Sequence, residues 1–294
     1  MPNKFLTPNI IAKEALMQLR NNAVMASLVH RDYSSEFVGA VGDTITIRKP
    51  AKFKVNEYKG STIELQDATE SGVEVKMDKL LDVSFAVTSK ELSLDIADFS
   101  AELLVPAMQA FNDKIDSYLL GLEAEITNRV DISDTMTPAN IIDARKFLVN
   151  AAAPNTDRNF VFGATTEADL LKNDKFTDAD RVGDTGTALR EASLGRKYGL
   201  NMYTDQNVVK TSGKSPDYVP NIVFHKNAFA FVTRPLALPQ GASKAAIVNY
   251  DGFGLRVVYG YDMQKKTDIV SIDMLCGFKT LDKDLAAVIA DKRA

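Results

Sequence analysis

Apolar positions in this chain recur with two different periods, and the changes of period mark out the elements. Thr7-Pro8 has the form of a helix start, a hydroxyl cap followed by proline at the first helical position. Ile11, Ala15, Leu16 and Leu19 then follow at helical spacing to about Arg20, and the mixed stretch Val24 to Phe37 reads as an extended arm. Ile45 and Ile47 alternate with Thr44, Thr46 and Arg48, which is strand periodicity. Pro50, Gly60 and Gly72 punctuate a polar, lysine-rich segment. Beyond it Val73, Val75 and Met77 alternate with polar residues, and Leu81, Val83, Phe85 and Val87 resume the alternation after a break. That break reads as a phase slip, which a bulge or strong twist would produce. The pattern over 41–90 predicts a long two-stranded β-arm with a charged tip. Such a hairpin is marginal alone, so it is expected to pack on a neighbour.

From Asp98 the period changes. Phe99, Leu103, Ala107, Phe111, Ile115, Tyr118, Leu122 and Ile126 form one stripe at three- and four-residue steps, predicting a helix of about eight turns kinked at Pro106. Thr137-Pro138 opens a second helix carrying Ile141, Ile142, Phe147 and Leu148. A strand at Phe160-Val-Phe162, a helix from Thr165 to Leu171, a strand near Tyr198 to Tyr203 and strands flanking Lys226-Asn227 complete a region of alternating strands and helices over 137–235. The rest returns to strands, at Ala246 to Tyr250, Gly254 to Tyr261 and Thr267 to Cys276.

Composition narrows the function classes. The chain has 294 residues, 45% of them apolar, enough to bury a substantial core. Net charge is −4, with no basic face or tail to grip phosphates along its length. No basic region followed by an apolar run marks a signal peptide, and no stretch approaches the roughly 18 apolar residues of a membrane span. Cys276 is the one cysteine, fits a reducing compartment, and reads as a small buried hydrophobe. The two histidines, His30 and His225, lack the paired spacing of a metal site. His225 sits in an apolar strand and reads as a buried, hydrogen-bonded histidine; His30 reads as an arm contact. Gly183-Asp-Thr-Gly186 and Gly252-Phe-Gly254 lack the remaining glycines and lysine of a phosphate loop and read as turns. No convergent catalytic chemistry emerges, and no cofactor is expected.

Several strings resemble tailed-bacteriophage major capsid proteins of the podovirus type, whose fold is shared with the herpesvirus capsid floor and encapsulin shells. They are Ile10-Ile11-Ala-Lys-Glu14-Ala-Leu through Met25, Leu28-Val-His-Arg-Asp32-Tyr, Gly42-Asp43-Thr-Ile-Thr-Ile-Arg48-Lys-Pro50, Leu194-Gly195-Arg-Lys-Tyr-Gly199-Leu-Asn-Met-Tyr203 and Asn221-Ile-Val-Phe-His-Lys226-Asn-Ala-Phe-Ala-Phe-Val. Their order and spacing cover the whole chain.

The resemblance implies an α+β fold: an N-terminal arm over 1–37, an extended hairpin or E-loop over 38–92, a spine helix within 93–136, an α/β axial domain over 137–237, and terminal strands over 238–294 that complete the peripheral domain. The span from Gly163 to Leu194 is too short for an inserted domain, and the early arm implies a separate scaffolding protein. The implied function is a non-enzymatic shell protein that assembles as hexamers and pentamers around double-stranded DNA. A portal protein and a decoration protein are further expected partners, the DNA is contacted weakly and without sequence preference, and no membrane is involved. The expected location is the virion capsid, assembled in the host cytoplasm. Candidate contacts between subunits are the basic arm residues Arg48, Lys49, Lys52, Lys54 and Lys59, facing Asp113, Asp116 and Glu123 on a neighbour's spine helix. By position, the same arm lysines Lys52, Lys54 and Lys59 are candidates for an E-loop crosslink. An encapsulin-type compartment shell is the alternative, and a hydrolase using one histidine a remote one.

Overall fold

The computed structural model describes residues 13, 15, 24–31, 44–49, 55, 71–88, 104–177, 192, 194–211, 217–240, 244–250 and 253–293. Two sheets are built around one long helix. In the first sheet, the 14-residue strand β12 (Thr267–Thr280) carries neighbours on both flanks. On one side β3 (Lys79–Thr88) runs antiparallel to it from Thr267↔Thr88 to Cys276↔Lys79. On the other, β11 (Phe253–Asp262) pairs with its first half and β9 (Phe229–Arg234) with its second, from Leu275↔Arg234 to Thr280↔Phe229. β10 (Lys244–Tyr250) closes the edge against β11.

The second sheet has the order β4-β13-β8-β5-β7-β6. Its strands are β4 (Arg129–Ile132), β5 (Arg158–Phe162), β6 (Arg196–Lys197), β7 (Leu200–Thr204), β8 (Val219–His225) and β13 (Ala286–Asp291). β5, β8 and β13 are buried at every position, as expected of strands covered on both faces, even where Arg158, Asn159, Asn221, His225 and Asp291 interrupt the apolar run. Their side chains divide by the two-residue period. Phe160, Phe162, Val223, Ala287 and Ile289 face one core with Ile141, Ala144 and Leu148 of helix α3 (Pro138–Asn150). Val161, Ile222, Phe224, Ala286, Val288 and Ala290 face the other core, with Phe111 and Ile115 of helix α2 (Val105–Gly121).

Several sequence expectations hold. Ala107, Phe111, Ile115 and Ile126 of the stripe are buried, each such side chain contributing about 1.5–3 kcal/mol when fully large and apolar. Helix α3 starts where Thr137-Pro138 predicts, with the Thr137 N–H donating to Asn140 Oδ1 at 2.9 Å. A short helix, α4 (Ala164–Leu171), follows β5 as expected.

Others need correction. The described helix α2 spans 17 residues and passes into a 3-10 turn at Leu122–Glu125, so Ile126 is already extended. Phe99 and Leu103 lie outside the described residues. Val24 to Arg31 is not a free extended arm: Met25–Leu28 form a helical turn, α1, with Met25, Ala26 and Val29 fully buried. Tyr198 is not in a strand but heads a tight turn between β6 and β7, where it and Gly199 both have positive φ, 51° and 77°. The boundary expected at 237/238 does not separate the sheets, because β9 joins the first sheet and β13 is inserted between β4 and β8 of the second.

The β-arm is corrected as well. β1 (Thr44–Lys49) pairs with β2 (Ser71–Lys76) as a hairpin, but β3 leaves that hairpin and joins β12. There is no phase slip at Met77: Val73, Val75, Met77, Leu81, Val83 and Phe85 all occupy odd positions and are all at least partly buried. What happens there is a change of sheet. The chain passes so close to β12 that a Cβ on Gly277 would lie 2.4 Å from the Lys76 carbonyl oxygen. Replacing Gly277 by alanine is therefore expected to cost about 1–3 kcal/mol through overpacking, read as a lowered urea midpoint of the purified chain. Gly260→Ala, where an added Cβ meets nothing within 4 Å, is the control and should leave the midpoint nearly unchanged.

Candidate functional site

Arg48 and Lys49 end β1, in register with Gly72 and Ser71. Lys52, Lys54 and Lys59 lie outside the described residues. The root of the hairpin is packed on its own chain, with Ile47, Val75 and Met77 against Ala230, Val232 and Leu281. That contact gives the hairpin the apolar support it would lack if isolated.

The three carboxylates separate into two kinds. Asp113 is on the exposed face of α2, where Asn207 Nδ2 donates to it at 3.4 Å. Asp116 and Glu123 point inward and are 1% and 4% exposed, so partners within the chain, not a neighbour's lysines, occupy them. Glu123 accepts Tyr218 Oη–H at 2.8 Å and the Arg129 guanidinium at 3.1 Å, and that guanidinium also lies 4.4 Å from the Tyr218 ring centre. This triad ties the end of the helix to β4 and to the approach to β8.

Asp116 accepts the backbone N–H groups of Val24 and Ala26, each at 3.4 Å. Burial, with the nearby Asp205 charge second, pushes its carboxyl up to about 7. The same arm segment is held at three further points. Asn159 Nδ2 of β5 donates to the Leu28 carbonyl at 3.4 Å. The His30 N–H donates to the Phe229 carbonyl at 3.1 Å, and Phe231 N–H donates back to His30 at 3.0 Å. The Arg31 guanidinium sits 4.9 Å from the centre of the Phe253 ring. His30 is thus an arm contact, as read from the sequence, and it docks on β9.

The groups with catalytic potential are placed structurally. Cys276 is buried, its thiol pushed up to about 12 by burial and therefore protonated and unreactive. His225 is 4% exposed, its Nδ1 accepting the Asn227 N–H at 3.2 Å, and burial holds it below the ordinary histidine value. Among the described residues no group of three His, Cys, Asp or Glu could hold a metal ion, and no helix is long and apolar enough to cross a membrane.

Solved structures carry the comparison from here. The chain matches one from Mycobacterium phage Che8 over 98% of its own length and 94% of that chain, with a TM-score of 0.68 at 20% identity. The chain has the fold of tailed-phage major capsid proteins. A capsid protein of cyanophage P-SCSP1u matches with a TM-score of 0.61 at 12% identity, over 86% of this chain and 84% of that one. A virus-like particle from Pyrococcus furiosus matches with a TM-score of 0.53 at 12% identity, over 96% and 98%. No protein-family model and no curated protein matches the sequence. α2 falls within the span expected for the spine helix, the β1–β2 hairpin within that expected for the E-loop, and α1 within that expected for the N-terminal arm.

Asp116 and Glu123 were expected as exposed contacts, but the helical pattern around them carries a signal of burial. Helix rows of four-residue steps place Asp116 with Met108, Asn112 and Leu120, and Glu123 with Phe111, Ile115 and Leu119. Asp113 falls in the exposed row of Gln109 and Ser117.

The buried His225 yields a pH test. Because its folded value lies below the ordinary one, its contribution to stability is present above about pH 6.5 and is lost as pH falls through the folded value. His225→Asn keeps an acceptor for Asn227 and removes the titration. The wild type should therefore lose stability relative to this variant as pH is lowered from about 7 to about 5, measured by thermal melting at each pH.

Proposed function

We propose that this chain is the major capsid protein of a tailed bacteriophage, assembling as hexamers and pentamers into an icosahedral shell around double-stranded DNA. The observation that carries the reading is the breadth of the structural likeness, which takes in both sheets, the helix between them and the β-hairpin, and spans 98% of this chain and 94% of the Che8 chain. Sheets joined by short turns between successive strands give a rigid plate, and a hairpin rooted on that plate is suited to reach a neighbour. With net charge −4, the wall confines DNA without gripping it. A scaffolding protein guides closure, a portal protein occupies one vertex, and decoration proteins bind the finished surface. Assembly takes place in the host cytoplasm and the product is the virion capsid.

Between subunits, the basic arm residues Arg48, Lys49, Lys52, Lys54 and Lys59 reach exposed acidic positions of a neighbour, of which Asp113 is the one on the spine helix that remains accessible. Each exposed pair contributes only about 0–1 kcal/mol. Repetition over many copies closes the shell while single contacts stay reversible.

Negative-stain electron microscopy of the protein, expressed alone and with a candidate scaffolding protein, should show closed uniform shells or aberrant spirals. A small stable oligomer under both conditions would refute the capsid reading, and shells that co-purify an enzyme cargo in place of scaffold would favour the encapsulin-type alternative. Charge reversal at Lys52, Lys54 and Lys59 together should leave a folded subunit and abolish closed shells; normal shells from that variant would remove the arm from the mechanism.

A further inference from the structure

Three parts of the molecule meet around two buried carboxylates. The arm segment α1 presents the backbone N–H groups of Val24 and Ala26 to Asp116, with Met25 N–H beside them. The spine helix contributes Asp116 itself and, one turn earlier in the same row, Asn112, whose amide atoms are buried without a hydrogen-bond partner. The connection leaving β7 contributes Asp205, which is 3% exposed. Its Oδ1 accepts the Asn207 N–H at 2.8 Å, while Oδ2 is buried without a partner. Its backbone N–H donates to Phe162 of β5 at 3.0 Å, so Asp205 is fixed to the second sheet. Asp113 faces Asp205 in turn and is bridged to the same connection by Asn207.

We propose that this junction is a proton-dependent latch on the N-terminal arm: a proton on the Asp116–Asp205 pair holds α1 docked against the spine helix, and its loss loosens the arm.

The physical basis is like charge in a closed site. Asp116 and Asp205 are both withdrawn from water, and ionising both sets two negative charges against each other with little solvent between them. Two N–H donors at 3.4 Å compensate one carboxylate only weakly. Undocking of α1 admits water to Asp116 and relieves the penalty. The arm therefore opens from the ionised state more readily than from the protonated one. Burial and the neighbouring charge push both carboxyls up, in agreement with that order. The sign follows: a raised folded value makes the docked state bind more protons than the released one, so docking weakens as pH rises. The contacts at Asn159, Phe229 and Phe231 are neutral and keep the arm in place as a baseline.

Hydrogen exchange of the arm amides, with His30 N–H as reporter, tests the latch on the full-length chain at fixed assembly state. If Asp116 titrates at about 7 when docked and as an ordinary carboxylate when released, docking is about tenfold tighter at pH 6 than at pH 8.5. After correction for intrinsic exchange, protection should fall by that factor across the range. Asp116→Asn keeps the shape and an acceptor without the charge, and should give protection that does not vary with pH. Asp205→Asn removes the facing charge and should move the wild-type transition to lower pH. A flat wild-type profile would overturn the proposal, as would an unchanged slope in Asp116→Asn. Should Asp116→Asn fail to fold, an unmoved transition in Asp205→Asn would overturn it alone.

Discussion

The structure depends on one close crossing of backbones, where the chain at Lys76–Met77 runs over Gly277 of β12 with no room for a side chain between them. That crossing lets one extended stretch serve two purposes. Before it, β2 belongs to a hairpin with β1; after it, β3 is an edge strand of the first sheet. The odd-numbered residues stay inward throughout, so the chain changes partners without changing faces. Because Leu275 and Cys276, next to that glycine, pair with Leu80 and Lys79 on one side and Arg234 and Thr233 on the other, β3 and β9 are fixed on opposite flanks of the same two residues of β12.

Strand exchange then locks the two sheets together. β8 belongs to the second sheet and β9 to the first, with only a 3-10 turn at Lys226–Ala228 between them. The step is repeated where the chain passes from β12 in the first sheet through a single turn into β13, between β4 and β8 of the second. Neither sheet can move far without breaking a buried ladder in the other. Phe224, Phe229 and Phe231 belong to the core that α2 shares, so the helix packs over the exchange itself. A plate of this kind suits a subunit that must keep its shape while its edges make many weak contacts.

Local signals and long-range partners differed in how far the sequence revealed them. The stripe through Phe111 and Ile115, the cap at Thr137-Pro138 and the buried His225 are set by neighbours within a few residues, and each was legible. The partner of β3 was not, since Ser271 and Ser84 pair across nearly two hundred residues and alternation records only which face is apolar. β13 was hidden for a related reason. Ala286-Ala-Val-Ile-Ala290 is short and small, and its burial on both faces comes from where it inserts, not from its own period. Asp116 and Glu123 were misread because charge was taken as a mark of exposure, although their helical rows are otherwise apolar apart from Asn112.

Those two carboxylates also show how polar groups divide the labour inside the core. Glu123 meets a guanidinium and a phenol, both side chains fixed by the helix end, β4 and the approach to β8, so its charge is matched and the joint is permanent. Asp116 meets backbone N–H groups of a segment that can leave, and its other charged neighbour is a second carboxylate. A buried charge with a matched partner fixes an orientation, whereas one with a mismatched partner makes the orientation conditional. The spine helix and the 3-10 turn that ends it carry the two kinds, Asp116 on the helix and Glu123 on the turn. The end near β4 is thereby tied into the rigid plate, while the middle, where the arm docks, depends on protonation. The part of the subunit built to adjust is thus set apart from the part built to hold its shape by the chemistry that each carboxylate faces.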